Sequence, residues 1–186
     1  VAHEMTHSVI STTSNLIYQF QSGALNESFA DILGEGCEAH FAGGVPDWLL
    51  GTLLSTPGRS LSDPPSLVNG LTGRPFPNRM SLFEVLPGSA DAGGVHVNSS
   101  ITNFAFYQLA EGLPGAIGID DALQIFYRAV TTKLNPNSQF IDARLSCVES
   151  ARELFGNAST QARKTGEAFD SIELFDQAPI PPPAPL

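Results

Sequence analysis

His3-Glu4-Met5-Thr6-His7 concentrates more chemistry in five residues than any other stretch of this chain. On a helix, positions i and i+4 share a face, so the two imidazoles can hold one zinc ion between them. The glutamate between them points toward the coordination position that the imidazoles leave open, an arrangement suited to metal-assisted hydrolysis. Two histidines on a solvated helix face fit the same pattern, and a third ligand has to decide between the two.

A source of such a ligand lies in Asn26-Glu27-Ser28-Phe29-Ala30-Asp31. Glu27 and Asp31 are i,i+4 neighbours, and Glu38 returns to nearly the same angle at about 100° per residue. Stacked carboxylates repel each other, so this face is either solvated or arranged around a cation; beside His3 and His7 the cation is the stronger reading. Further along, His96 follows the pair Gly93-Gly94, and Asp91 stands where it can hydrogen-bond the His96 ring.

The elements that must position these groups are mainly helical. Apolar residues at Met5, Val9 and Ile10 predict a helix from residue 3 to about residue 20, and the stripe Leu25, Phe29, Ile32, Leu33, Cys37 and Phe41 predicts a second over 24–41. From Gly43 to Asp91, scattered Gly and Pro predict loops with one short helix near Asp47 to Leu54. Helical periodicity returns after His96, with Asn98 or Ser99 as cap and Gly112 as stop. It recurs from Asp120 or Asp121 through Val130, from Leu145 to Phe155, and from about Thr160 to Leu174. The fold class is therefore a mainly α helical bundle with a long loop-rich insertion. One domain is expected over 1–175, and a Pro-rich tail or linker over 176–186. The first helix has no cap in front of His3, so it reads either as a short helix with a frayed end or, the preferred expectation, as a helix entered part-way in the C-terminal part of a longer protein.

Composition narrows the partners. The chain has 186 residues, with 9 Lys and Arg against 19 Asp and Glu, a formal charge of −10 that argues against nucleic acid. No apolar run reaches the roughly 18 residues of a membrane span, so no membrane partner is expected. Cys37 and Cys147 leave open one disulfide or two thiols.

Four segments in order and register resemble the thermolysin-like zinc metallopeptidases, the gluzincins: His3-Glu-Met-Thr-His7, Gly23-Ala-Leu-Asn-Glu27-Ser-Phe-Ala-Asp31, Arg59-Ser-Leu-Ser-Asp63-Pro64, and Asp91-Ala-Gly-Gly-Val-His96-Val-Asn98-Ser99. The resemblance implies zinc ligated by His3, His7 and Glu27, with Glu4 as general base and Asp31 as the partner of the far nitrogen of His3. His96, oriented by Asp91, and Tyr18 would stabilise the oxyanion of the tetrahedral intermediate. Arg59 would bind the substrate backbone, the alternative being a surface arginine paired with Asp63; for Asn98 a helix cap is preferred. Leu50 and Leu54 would line an apolar pocket for a bulky apolar side chain after the scissile bond, widened where Gly58 replaces a large residue.

The same family binds calcium near its second helix. Glu38 and Asp47 match acidic ligands there, but Leu49 and Thr52 do not, so at most one Ca²⁺ is expected. The resemblance further implies a peptide or protein substrate, a secreted parent protein, and an N-terminal domain that forms the other wall of the cleft. The competing expectation is a truncated half-enzyme that binds zinc but is inactive by itself.

Overall fold

The computed structural model describes residues 1–51 and 58–176. Its elements run α1 (Ala2–Thr12), α2 (Phe20–Phe41), β1 (Leu49–Leu50), β2 (Arg59–Ser60), α3 (Asp91–Tyr107), α4 (Ile119–Thr132), α5 (Phe140–Phe155) and α6 (Thr160–Ser171). A wide π turn, Gln108–Gly112, closes α3 at the glycine expected to stop it. The mainly helical bundle with a loop-rich insertion is thus what the chain forms. The Pro-rich segment from 177 onward, and Thr52 and Leu54 in the insertion, lie outside the described residues.

α2 is the axis of the molecule. Every residue from Ser22 to Ile32 is buried, because α1, α3 and α4 pack against different sides of it. Glu27 and Asp31 are therefore not part of a solvated face, being 1 % and 0 % exposed, and Glu35 is 0 % exposed, whereas Glu38 near the end of the helix is exposed. Phe29 of α2 meets Phe126 of α4, which also packs on Phe106 of α3 and stacks with Phe169 of α6 at a centroid distance of 6.1 Å. Each fully buried ring contributes on the order of 2 kcal/mol by leaving water, so this four-helix contact is a main source of the rigidity the site inherits. Cys147 is buried on α5, where burial pushes its thiol pKa up; Cys37 is exposed on α2, and both are free thiols.

Several local expectations need correction. α1 ends at Thr12, well short of residue 20, because the hydroxyls of Ser11, Thr12 and Thr13 bond back to the carbonyls of Ser8 and Val9 and Asn15 turns into the left-handed region at φ 51°. The loop that follows delivers Tyr18 to the site. Met5 is 66 % exposed and is no core residue; the buried side of α1 carries Thr6 and Ile10, one helical turn apart. No helix starts at Asp47. Trp48 takes a positive φ of 60°, and Leu49 and Leu50 pair antiparallel with Ser60 and Arg59. Arg59 is thereby fixed next to α2.

Asn98 is not a cap. It lies inside α3, where its amide takes the backbone N–H of Glu84 and donates to the carbonyl of the same residue, pinning the insertion to the helix. The start of α3 is built by Asp91, Ala92, Gly93 and Gly94, all with positive φ. Gly93 is required twice over: its φ is 91°, and a Cβ there would lie 2.3 Å from the Phe20 ring.

Candidate metal centre

Three ligand atoms, one each from His3, His7 and Glu27, lie within 4.8 Å of one another, the one such His/Cys/Asp/Glu group among the described residues. α1 and α2 can approach closely enough to form it because Gly34 faces His3. A Cβ at Gly34 would already stand 3.3 Å from the His3 backbone nitrogen.

The hydrogen bonds around the two imidazoles determine what the group can bind. His3 Nδ1 lies 2.9 Å from Asp31 Oδ1, and a carboxylate only accepts, so Nδ1 carries the proton. His7 Nδ1 lies 2.7 Å from Asn26 Oδ1. The Asn26 amide cannot turn over, because its Nδ2 donates to the Leu16 carbonyl at 3.1 Å, so His7 Nδ1 is also a donor. With both Nδ1 atoms committed, the two Nε2 atoms face each other at 3.1 Å, with Glu27 oxygens 3.6 and 3.5 Å away. Two imidazole lone pairs and a carboxylate converging on one point repel each other unless positive charge sits between them. A proton can partly relieve this, and a tetrahedral cation with nitrogen and oxygen ligands relieves it fully. Burial works against a charged His3, yet the Asp31 hydrogen bond and the charges of Asp31 and Glu27 outweigh it and hold the His3 pKa above its ordinary value. The residues present therefore fit zinc.

Asp31 joins this centre to the neighbouring cleft. It receives Arg59 Nε on Oδ2 and Arg59 Nη2 on Oδ1, both at 2.7 Å. Burial alone would raise its carboxyl pKa, but the Arg59 charge and the hydrogen bonds from His3 and Arg59 bring it down to about 2. The pairing of Arg59 with Asp63 considered from the sequence does not form; Arg59 turns inward to Asp31 and approaches Glu27 at 3.5 Å.

Tyr18 and His96 complete the opposite side. The Tyr18 hydroxyl donates to Glu27 Oε1 at 2.5 Å and lies 3.2 Å from His96 Nε2. Burial, then the Glu27 hydrogen bond, raises the Tyr18 pKa, so it remains a neutral donor. Asp91 holds His96 twice, through the backbone N–H at 2.9 Å and through ring Nδ1 at 2.5 Å, which turns Nε2 toward Glu27. Glu4 is exposed and opens onto the same cleft as Glu27, Arg59, His96, Leu50 and Gly58. Among the described residues, the Leu50 carbonyl oxygen, at 3.7 Å, is what an added Cβ at Gly58 would meet.

Glu38 and Asp47 do not join a third acidic or imidazole ligand among the described residues. Glu38 is exposed, and Asp47 accepts the N–H of Leu49. Sequence reasoning missed three residues. Asn26 orients His7, Asn103 reaches Asp31 from α3, and Glu35 occupies the next i+4 rung after Asp31. That rung was visible as spacing. The two asparagines carried no signal beyond adjacency to Glu27 and a two-turn offset from His96.

Glu35 anchors the strand that carries Leu50. Its Oε1 accepts the Trp48 N–H at 2.9 Å, while Oε2 is buried without a partner among the described residues. Burial above all, then the charges of Asp47 and Glu38, pushes its pKa up from 4.5 to about 7. A carboxyl that holds its proton more tightly when folded gives stability that is complete below pH 4.5 and falls as the pH rises to about 7. Subtracting the urea-denaturation profile of Glu35→Gln from that of the parent chain should expose a fall on the order of 3 kcal/mol across this window. Parallel profiles would show that Glu35 is not buried as described.

Comparison with known proteins gives the family. The sequence model of the family described as "Thermolysin metallopeptidase, alpha-helical domain" matches residues 14–174, beginning just after α1. The thermostable neutral protease NprT of Geobacillus stearothermophilus is 37% identical over 187 residues, which cover 94% of this chain and 32% of that protein. The neutral protease NprE of Bacillus pumilus is 41% identical over 178 residues, covering 93% of this chain and 53% of that one. Among solved structures, the precursor of protealysin, a metalloproteinase from Serratia proteamaculans, superposes with a TM-score of 0.81 at 30% identity, over 93% of this chain and 56% of that one. The chain spans about a third of the length of the first of these curated relatives.

Proposed function

Because the chain belongs to the thermolysin metallopeptidase family, as its alpha-helical domain, we propose that it is the metal-bearing half of a zinc endopeptidase, with His3, His7 and Glu27 as the ligands. The observation that carries the metal is the 3.1 Å approach of two imidazole nitrogens whose other ring nitrogens are already spent on Asp31 and Asn26. Zinc held there supplies a Lewis acid and lowers the pKa of a bound water to about 7.

The chain's own groups then divide the work. Glu4, on the cleft side of α1, takes the proton of the attacking water and hands it to the leaving amine. His96 and Tyr18 donate to the oxygen on which charge develops; Asp91 keeps the His96 ring turned toward that place. Arg59 remains anchored on Asp31 and offers its outer face to a substrate carbonyl. Leu50, beside Gly58 in the cleft, receives a bulky apolar side chain on the amino side of which the bond is cut. Glu38 and Asp47 support no more than a single weak Ca²⁺ site. No helix among the described residues is long and apolar enough to cross a membrane, and an extracellular site of action goes with the family reading.

The test uses the 186-residue chain, zinc, and a blocked peptide with leucine after the scissile bond. Cleavage that a chelator stops and zinc restores is the expected result. A second reading rests on the chain covering only 32% of NprT: that the other wall of the cleft belongs to a separate domain, without which this half binds zinc and does not cleave. A folded, zinc-loaded chain that leaves the peptide intact selects that reading, and a folded chain that binds no zinc rejects both.

A further inference from the structure

Asp31 has a fourth hydrogen bond that neither the metal nor the cleft accounts for. Asn103 Nδ2, from α3, donates to Asp31 Oδ2 at 2.8 Å. Together with His3 and the two nitrogens of Arg59, this fills all four lone-pair directions of the carboxylate. The orientation of the Asn103 amide is itself set, because the Ser28 hydroxyl donates to Asn103 Oδ1 at 2.8 Å. Serine, asparagine and aspartate thus form one directed chain, buried throughout: Ser28 is 1 % exposed, and Asn103 and Asp31 are 0 % exposed.

Resting on the zinc reading, we propose that Asn103 is a positioning residue of the metal centre. It fixes the plane of the Asp31 carboxylate, so that one group serves the His3 ring and the Arg59 guanidinium in the same geometry. The reason lies in where the anchors come from. Arg59 sits on a two-residue strand, whereas Asn103 sits in the packed middle of α3 and Ser28 in the packed middle of α2. Without Asn103, Oδ2 keeps only the Arg59 bond, and the carboxylate is free to swing toward the guanidinium and away from His3 Nδ1. A buried carboxylate with an empty lone pair turns toward the strongest donor still in reach. Asn103 also lies two helical turns beyond His96, so one helix sets the tilt of a zinc ligand and the place of the proposed oxyanion donor.

The test is chelator-competition zinc binding on the 186-residue chain, with the visible absorption of the cobalt(II)-substituted protein as a report of ligand geometry. Asn103→Leu should weaken zinc about 10-fold, the low end for groups that orient a ligand, and should shift the cobalt bands. Ser28→Ala leaves Asn103 in place but frees its amide, and should give the same shift with a few-fold loss. Thr102→Val, which removes a neighbouring buried hydroxyl bonded to the Ser99 carbonyl within α3, should change neither readout. If Asn103→Leu does not fold, Ser28→Ala decides. Parent-like zinc affinity and cobalt spectra in folded variants overturn the role of Asn103 while leaving the zinc reading intact. A parent chain that binds no zinc, or binds it equally after His3→Ala, overturns the zinc reading and this proposal with it.

Discussion

Glu4→Gln should abolish peptide hydrolysis and leave zinc binding unchanged. Glutamine matches glutamate in size and cannot accept a proton at working pH, so the substitution isolates proton transfer from shape. Glu4 is the exposed residue of α1 facing the cleft, and it takes no part in the ligand set of His3, His7 and Glu27. A positioned acid–base group contributes about 10²- to 10⁴-fold, so the loss should approach the detection limit of a peptide assay. Isothermal titration with zinc, run beside the assay, separates a chemical defect from a binding defect. If the variant were to cleave as fast as the parent, the proton acceptor would have to be a group other than Glu4. The assay needs a preparation that cleaves; should the 186-residue chain require its companion domain, the substitution belongs in the assembled enzyme.

Asp31→Ala should be the most damaging single change in the centre, for two separable reasons. The first is stability: Arg59, largely buried, would keep only its 3.5 Å approach to Glu27, and removing one member of a buried ion pair costs up to about 3–5 kcal/mol. The second is the metal: His3 Nδ1 would lose the acceptor that determines which nitrogen faces zinc, a loss worth about 10- to 100-fold in affinity. Asp31→Asn keeps the volume and one acceptor but points an amide N–H₂ at the Arg59 or Asn103 donors, so it should fall between the parent and Asp31→Ala on both scales. Urea denaturation of the metal-free chain measures the first effect and chelator competition the second. A destabilised Asp31→Ala with parent-like zinc affinity would reduce Asp31 to a structural counter-ion of Arg59.

The residues that share a helix face were legible in the sequence because helical spacing is a local rule; that Glu27 rather than Asp31 is the third proposed ligand came from the family resemblance. His3 and His7 share a face at i,i+4, and so do Glu27 and Asp31, whatever the rest of the chain does. The helices over 24–41 and after His96 were legible for the same reason, and the glycines at 112 and 156 marked two of their ends. Illegible were the places where a side chain takes over a backbone's task. Serine and threonine hydroxyls end α1 early, Asp91 supplies the hydrogen bond expected of Asn98, and a carboxylate on α2 holds the Trp48 N–H just before the strand Leu49–Leu50.

By itself the sequence determined which nitrogen and oxygen atoms share a helix face, His3 with His7 and Glu27 with Asp31, since that follows from local periodicity. Only the tertiary structure decided what each of those atoms is free to do. Asn26 and Asp31 take one nitrogen from each imidazole, Arg59 leaves Asp63 for Asp31, and Asn103 closes the last lone pair of that carboxylate from a helix 72 positions away. Partners that distant in the chain are chosen by packing, and in a buried site most polar atoms find one. The chemistry open to His3 and His7 is therefore what remains after the fold has used the rest of their hydrogen-bonding capacity.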